Sequence, residues 1–148
     1  MKRIYLDNCC YNRPYDDQTQ VRISLESQAK LEIQRMIKEQ QISLVTSYMN
    51  RYENSKNPDE NKRKTIQQFQ EENAQIHITG ASLNTVNSIA EQIESTGIKY
   101  KDACHIACAI LAKCDYFITT DDRLFKYQDS RIQIINPIQF FTQEEEEK

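Results

Sequence analysis

Two short apolar segments of the sequence are each followed closely by a carboxylate. Asp7 comes directly after Ile4-Tyr5-Leu6, and Asp121 comes two residues after Tyr116-Phe117-Ile118-Thr119. Short apolar runs bounded by polar residues predict buried strands. In an open parallel sheet the functional site lies beyond the carboxyl ends of the strands, so we expect both acids at that edge.

Two further carboxylates are expected at the same edge, although both lie on helices. Glu53 is on a short helix predicted directly after a second strand over residues 42–46. Asp102 is in the first turn of a helix predicted from Lys99 to Lys113, which connects tightly to the strand at Tyr116. Because that helix must run antiparallel to the strand, its first turn lies at the carboxyl edge of the sheet.

Four carboxylates in one small volume repel one another unless a cation neutralises them or some take up protons. Oxygen ligands from Asp and Glu suit Mg²⁺ or Mn²⁺ and suit zinc poorly. A divalent ion held in this way activates water for the hydrolysis of a phosphodiester. Taken singly, each acid is better explained as a strand end, a surface ion pair or a helix cap, so the prediction depends on their joint placement.

The elements that must position these acids alternate between strand and helix. We predict an α/β fold, a central short parallel sheet with helices on both faces in three layers. The predicted strands are 4–6, 42–46, 76–79, 116–119 and 132–135, and the longer predicted helices are 20–39, 57–73, 82–96 and 99–113. In the first of these helices, Val21, Leu25, Ile33 and Ile37 are among the residues predicted to form the buried face. Asn57 is predicted to cap the second.

The chain of 148 residues predicts one domain, residues 1–143, and an acidic tail, residues 144–148, that we expect to be disordered. The net charge is 19 − 22 = −3, and removing the tail leaves 18 basic and 18 acidic residues. This balance excludes nucleic-acid binding through bulk positive charge, but not through a local basic patch. No apolar run approaches the roughly 20 residues of a membrane span. We therefore expect a soluble, cytoplasmic protein.

The five cysteines carry no secretory context, so we expect reduced thiols. Cys104 and Cys108 flank His105 and suggest zinc, but no C-x-x-C knuckle accompanies them and the segment reads as a buried apolar helix. We therefore predict packing roles for these cysteines and for Cys9 and Cys10. We also predict a structural role for His105, which we expect to turn away from the face of Asp102.

The pattern of residues resembles the PIN domain, a metal-dependent nuclease fold, over about residues 2–140. The resemblance rests on Ile4-Tyr5-Leu6-Asp7, an isolated Glu53, the helical segment Asp102-Ala103-Cys104-His105-Ile106-Ala107, and Tyr116-Phe117-Ile118-Thr119-Thr120-Asp121. It implies an endoribonuclease that hydrolyses RNA phosphodiesters, with Asp7, Glu53, Asp102 and Asp121 as the catalytic quartet around Mg²⁺ or Mn²⁺.

The resemblance also bears on substrate and partners. Thr119 matches a hydroxyl position near the quartet. Members often carry Asn, Ser or Thr two residues after the first Asp, where this chain has Cys9, so either Asn8 substitutes for it or the metal shell differs. Many small prokaryotic members are toxins of toxin–antitoxin pairs, which implies RNA as substrate, an antitoxin protein as partner and a homodimer, with no membrane.

Two sets of basic residues each have two open interpretations. Arg13, in the insert 12–17, either binds a substrate phosphate or belongs to a packed turn. A cluster near Glu53 either grips the RNA backbone or forms a solvated helix face; it consists of Arg51, Lys56, Lys62, Arg63 and Lys64. The alternative function is a catalytically inactive PIN-like binding or scaffold module, against which the complete quartet argues.

Overall fold

Five short strands form one parallel sheet in the computed structural model, which describes residues 1–146. The strands are β1 (Arg3–Leu6), β2 (Ser43–Ser47), β3 (Ala74–Ile78), β4 (Tyr116–Ile118) and β5 (Gln133–Ile135). Their order across the sheet is β3-β2-β1-β4-β5, and every neighbouring pair is parallel. Parallel strands need crossover connections, which the helices supply.

Helices cover both faces of the sheet, which confirms the predicted three-layer α/β class. They are α1 (Asn8–Asn12), α2 (Val21–Lys38), α3 (Tyr48–Ser55), α4 (Glu60–Asn73), α5 (Leu83–Glu94), α6 (Tyr100–Leu111) and α7 (Pro137–Glu146). Short 3₁₀ turns add Arg13–Tyr15, Gly80–Ser82 and Asp122–Lys126. Within residues 1–146, no helix combines the length and apolar character that a membrane crossing requires.

The central strand β1 divides the core by its alternation. Ile4 and Leu6 pack on one face with residues of α2, α4 and α7. Tyr5 packs on the opposite face, stacked on Phe117 with ring centroids 5.4 Å apart, among residues of α5 and α6. Because α6 is buried from Ala103 to Ile110, as its apolar sequence predicts, it fixes the position of Asp102 in its first turn.

Helix α2 buries Ile33 and Ile37 as the sequence predicts, but its N-terminal part turns a different face inward. Val21 and Leu25 are 74% and 49% exposed, whereas Glu26 is fully buried. The Glu26 carboxylate accepts hydrogen bonds from the guanidinium of Arg13 at 2.8 and 3.0 Å and lies 3.4 Å from that of Arg22. A buried charge with such partners is tolerated, so the ion pairs override the apolar stripe at this end of the helix.

Two helix boundaries also differ from the prediction. Helix α4 begins at Glu60, because the Asp59 side chain accepts from the Lys62 backbone N–H and caps it. Asn57, the predicted cap, accepts instead from the backbone N–H of Asp59. The segment after Asp7, for which no helix was predicted, contains α1, which the Asp7 side chain caps.

The C-terminal helix α7 was not predicted. Phe140 is buried and lies edge-to-face on Tyr116 with ring centroids 5.7 Å apart, so aromatic packing on the sheet holds this segment. Helix α7 continues through residues 144–146 of the predicted tail and ends at Glu146. The remainder of that predicted tail, residues 147–148, lies outside the described residues.

Lys30 is a cation buried beneath α2. Its amino group donates to Gln34 Oε1 at 2.7 Å and lies 5.6 Å from the ring centroid of Tyr11. Burial lowers the pKa of Lys30 from its ordinary value of 10.5 to about 8. One unit of pKa is about 1.4 kcal/mol of differential interaction, so the folded protein disfavours this charge by a few kcal/mol.

Replacing Lys30 with a neutral side chain of similar length should stabilise the protein. We expect Lys30→Met to raise the free energy of unfolding at neutral pH by about 2 kcal/mol. Between pH 8 and 10.5 the unfolded chain holds more protons on Lys30 than the folded chain does, so the wild type should gain on the variant as pH rises. Urea unfolding of both proteins at neutral pH and at about pH 10 measures the difference between their free energies of unfolding. If the advantage of the variant grows as pH rises, the lowered pKa of Lys30 is contradicted.

Candidate active site

A cleft of about 350 Å³ lies at the carboxyl edge of the sheet and brings the four predicted acids together. It is lined by Asp7, Glu53, Asp102 and Asp121, together with Cys9, Lys99, Lys101 and Arg123. The acids come from four separate segments: the end of β1, helix α3, the first turn of α6 and the turn after β4. Four carboxylates and three cationic side chains therefore share one small surface.

Asp7 is the most constrained of the four. It is 6% exposed, and its Oδ1 accepts from the Asn8 backbone N–H at 2.8 Å as the cap of α1. Its Oδ2 accepts from the Thr119 hydroxyl at 2.9 Å. The backbone N–H of Asp7 donates to Ile118 O, which extends the β1–β4 pairing by one residue. Both the backbone and the side chain of Asp7 are thereby fixed.

Asn8 and Thr119, the other predicted substrate-binding residues besides Arg13, support the framework and do not line the cleft. Thr119 is fully buried, and its hydroxyl accepts from the Asp121 backbone N–H at 3.1 Å. Asn8 is 3% exposed; its amide donates to the Asn50 carbonyl, and its Oδ1 accepts from the Asn50 side chain at 2.6 Å. These contacts tie β1, α3 and the turn after β4 together beneath the acids.

Glu53 is held from two sides. Its Oε1 accepts from His105 Nε2 at 2.7 Å and lies 3.4 Å from Lys101 Nζ. Burial alone would raise the pKa of Glu53, but the hydrogen bond from His105 and the nearby Lys101 ammonium lower it below its ordinary value. Glu53 is therefore a carboxylate at neutral pH.

Asp102 and Asp121 have opposite electrostatic surroundings. Burial, followed by the negative charges of Asp7 and Asp121, raises the pKa of Asp102. The Arg123 guanidinium, which donates to both Asp121 oxygens at 3.0 and 2.6 Å, holds the pKa of Asp121 below its usual range. The charge of the cleft is thus compensated at Asp121 and not at Asp102.

His105 contributes to the site, which the sequence reasoning missed. It is fully buried, as predicted, but it does not turn away from the acids. Ligand atoms of Asp7, Glu53 and His105 all lie within 4.8 Å of one another. Residues three apart on a helix are neighbours, so the spacing of Asp102 and His105 already indicates that His105 lies near the acids.

The basic residues near the acids are not those predicted. Arg13 donates to Glu26 and Asp16, contacts that match the packed turn of its two interpretations. In the predicted cluster, Arg63 donates to the Asn57 carbonyl and Lys64 pairs with Glu60 at 2.8 Å.

Three other basic residues, Lys99, Lys101 and Arg123, line the cleft instead. Each of them lies close in sequence to a site acid but belongs to no periodic pattern, so the sequence does not predict them.

The donor atoms of the cleft fit a hard divalent cation. Carboxylate oxygens dominate the donor set, which suits Mg²⁺ or Mn²⁺. Asp102 supplies a carboxylate whose pKa the charges of its neighbours raise, so a cation beside it would relieve that repulsion. Asp102 and Asp121 line the cleft without joining the tight group of Asp7, Glu53 and His105.

The architecture and the acidic cleft together define a three-layer α/β protein with a carboxylate-rich edge. No family model and no curated protein matches the sequence. A similar solved structure is the crystal structure of VapBC2 from Rickettsia felis bound to a DNA fragment from their promoter. The likeness has a TM-score of 0.55 at 13% identity and covers 90% of this chain and 98% of that one. At this identity the likeness shows a shared fold.

The cysteines should differ sharply in reactivity. Cys9 is partly exposed in the cleft, whereas Cys10, Cys104, Cys108 and Cys114 are buried. Burial raises the pKa of the Cys108 and Cys114 thiols to about 12, which removes the reactive thiolate. We expect a thiol reagent to label one cysteine of the folded protein rapidly and all five after denaturation, as counted by mass spectrometry.

Two observations check this assignment. Cys9→Ser should abolish the rapid labelling and lower the count after denaturation from five to four. Rapid labelling of a second thiol, or stoichiometric zinc in protein purified without added metal, would contradict the prediction of buried, metal-free thiols.

Proposed function

We propose that the chain is a divalent-cation-dependent endoribonuclease that hydrolyses RNA phosphodiester bonds at the acidic cleft, in a cytoplasmic setting. The observation that carries the proposal is the convergence of Asp7, Glu53, Asp102 and Asp121 on one cleft. These four come from distant parts of the chain, and charge repulsion opposes their proximity. Such an arrangement costs stability, which is typical of functional sites.

Asp7, Asp102, Asp121 and Glu53 would hold Mg²⁺ or Mn²⁺. When bound, the ion supplies Lewis acidity, which lowers the pKa of water and offsets charge on the phosphate. The chain's own residues prepare the remaining parts of the reaction. Because Asp7 is locked by Thr119, its carboxylate needs no rearrangement. Glu53, kept ionised by His105 and Lys101, is suited to orient the attacking water.

The cationic rim of the cleft suits a polyanionic substrate. Lys99, Lys101 and Arg123 stand beside the acids, and the side chains of Lys101 and Arg123 are 58% and 64% exposed. Exposed cations in these positions would bind phosphates on either side of the scissile bond. A local rim of this kind agrees with a chain whose overall charge is slightly negative.

We further propose that the protein is the toxin of a toxin–antitoxin pair, with a protein antitoxin as partner and a second copy of itself in a homodimer. The support is the fold shared with a chain from VapBC2, whose structure contains a promoter DNA fragment. Co-expression with the product of the neighbouring reading frame should yield a stable complex and relieve growth arrest. Unimpaired growth with the protein alone would contradict the toxin assignment.

One observation favours the alternative of an inactive binding module. The Arg123 guanidinium already occupies both oxygens of Asp121, as a fixed cation in place of a metal would. The two functions differ in whether a divalent ion displaces that pair.

Cation binding separates them directly. Calorimetry with Mn²⁺ should show binding that Asp7→Asn weakens at least tenfold, or about 1.4 kcal/mol, because a central oxygen ligand loses its charge. Asp122→Asn is the matched control: Asp122 is adjacent to the site but pairs with Arg22 outside the cleft. Equal affinities for wild type and Asp7→Asn would remove Asp7 from the quartet.

Cleavage itself is tested with Asp102→Asn, which preserves shape at the start of α6. Removing a metal-coordinating charge should slow cleavage of single-stranded RNA on the order of a thousand-fold, about 4 kcal/mol, while the fold survives. EDTA should abolish cleavage, and Mn²⁺ or Mg²⁺ should restore it. Because water attacks, the products should carry a 5′ phosphate and a 3′ hydroxyl; a 2′,3′-cyclic phosphate would show that the ribose hydroxyl attacks instead.

A further inference from the structure

A continuous chain of buried hydrogen bonds runs from the end of β2 to Glu53. The Tyr5 hydroxyl lies 2.6 Å from Ser47 Oγ and 2.6 Å from His105 Nδ1. His105 Nε2 lies 2.7 Å from Glu53 Oε1. Ser47, Tyr5 and His105 are each 0% exposed, so water does not compete for these bonds.

The direction of each bond follows from counting donors. Ser47 Oγ accepts from the backbone N–H groups of Met49 and Asn50 at 3.1 and 3.3 Å, because it caps α3. A hydroxyl has only two acceptor sites, and both are filled on Ser47, so Ser47 cannot also accept the hydrogen of Tyr5. The single hydrogen of Tyr5 must then go to His105 Nδ1.

The direction of the bond between His105 and Glu53 follows from the other two. With Nδ1 as acceptor, neutral His105 carries its hydrogen on Nε2, where it donates to the Glu53 carboxylate. The reverse order would require Ser47 to accept three hydrogen bonds. It would also place a lone pair of Nε2 against the carboxylate at 2.7 Å.

We infer that Ser47 and Tyr5 fix His105 as the tautomer with its hydrogen on Nε2, and that His105 is a positioning residue that orients Glu53 in the cleft. The Oε1 atom of Glu53 is engaged by His105 and Lys101, so a cation or a water is expected on Oε2. The same tautomer excludes Nε2 as a metal ligand, although it lies within the tight group of ligand atoms. The inference rests on the proposed function only for the role of Glu53 toward a cation.

The tautomer can be measured on metal-free protein by ¹⁵N–¹H correlation of the imidazole rings. The chain has two histidines, so His77→Asn assigns the spectrum. We expect His105 with a protonated Nε2 and an unprotonated Nδ1. A protonated Nδ1, whether as the other tautomer or as the imidazolium, would overturn the inference. This readout needs neither metal nor RNA, so a failed ribonuclease assay leaves it decisive.

The positioning role is tested with Tyr5→Phe, which removes only the hydroxyl that donates to Nδ1. We expect loss of the single tautomer and a Mn²⁺ affinity lowered about tenfold, the scale for an outer-sphere partner of a metal ligand.

Tyr48→Phe is the matched control, because the buried Tyr48 hydroxyl has no hydrogen-bond partner among the described residues. Equal Mn²⁺ affinities for Tyr5→Phe and Tyr48→Phe would overturn the positioning role. If the wild type binds no Mn²⁺, the proposed function fails and the tautomer alone decides the inference.

Discussion

Repulsion among carboxylates that share one cleft is the constraint on which the rest of the structure depends. Each acid is carried by an element whose position is fixed independently of the site. Asp7 extends the most central strand, and Asp102 opens a helix buried along most of its length. Core packing thus supplies the free energy that keeps the charges together. Burial, together with this repulsion, raises the pKa of Asp102.

Much of the fold could be predicted from the sequence, because the local apolar pattern agrees with the final structure wherever apolar packing determines that structure. The short apolar strands and the apolar helix around Ile106 predicted the sheet and the buried α6, and topology then placed Asp7 and Asp102 at one edge. The predictions were wrong where polar contacts determine which side chains are buried. Glu26 is buried through ion pairs with arginines distant in the sequence or on the exposed face, so the apolar stripe at Val21 was misread.

The residues of the candidate site also fall into those that a local sequence pattern predicts and those that it does not. The positions of the four acids were predictable because each acid follows a strand or lies on a helix with a clear sequence pattern. The partners of those acids were not, because they depend on side-chain contacts between elements. The bond between His105 and Glu53 spans 52 residues, and no local pattern announces it. The proximity of Arg123 and Lys101 to the acids likewise follows only from the folded structure.

The pairing of Arg123 with Asp121 allows the cleft to fold without a bound divalent cation. In small metalloproteins whose ligands have no other partner, metal binding and folding are one event, and chelation unfolds the chain. Here Lys99, Lys101 and Arg123 provide built-in counterions, so the cleft can assemble before a divalent ion arrives. Under the proposed function, the abundance of the folded protein would not depend on the supply of Mg²⁺ or Mn²⁺, and the supply of the ion would govern only how much of that protein is competent to act.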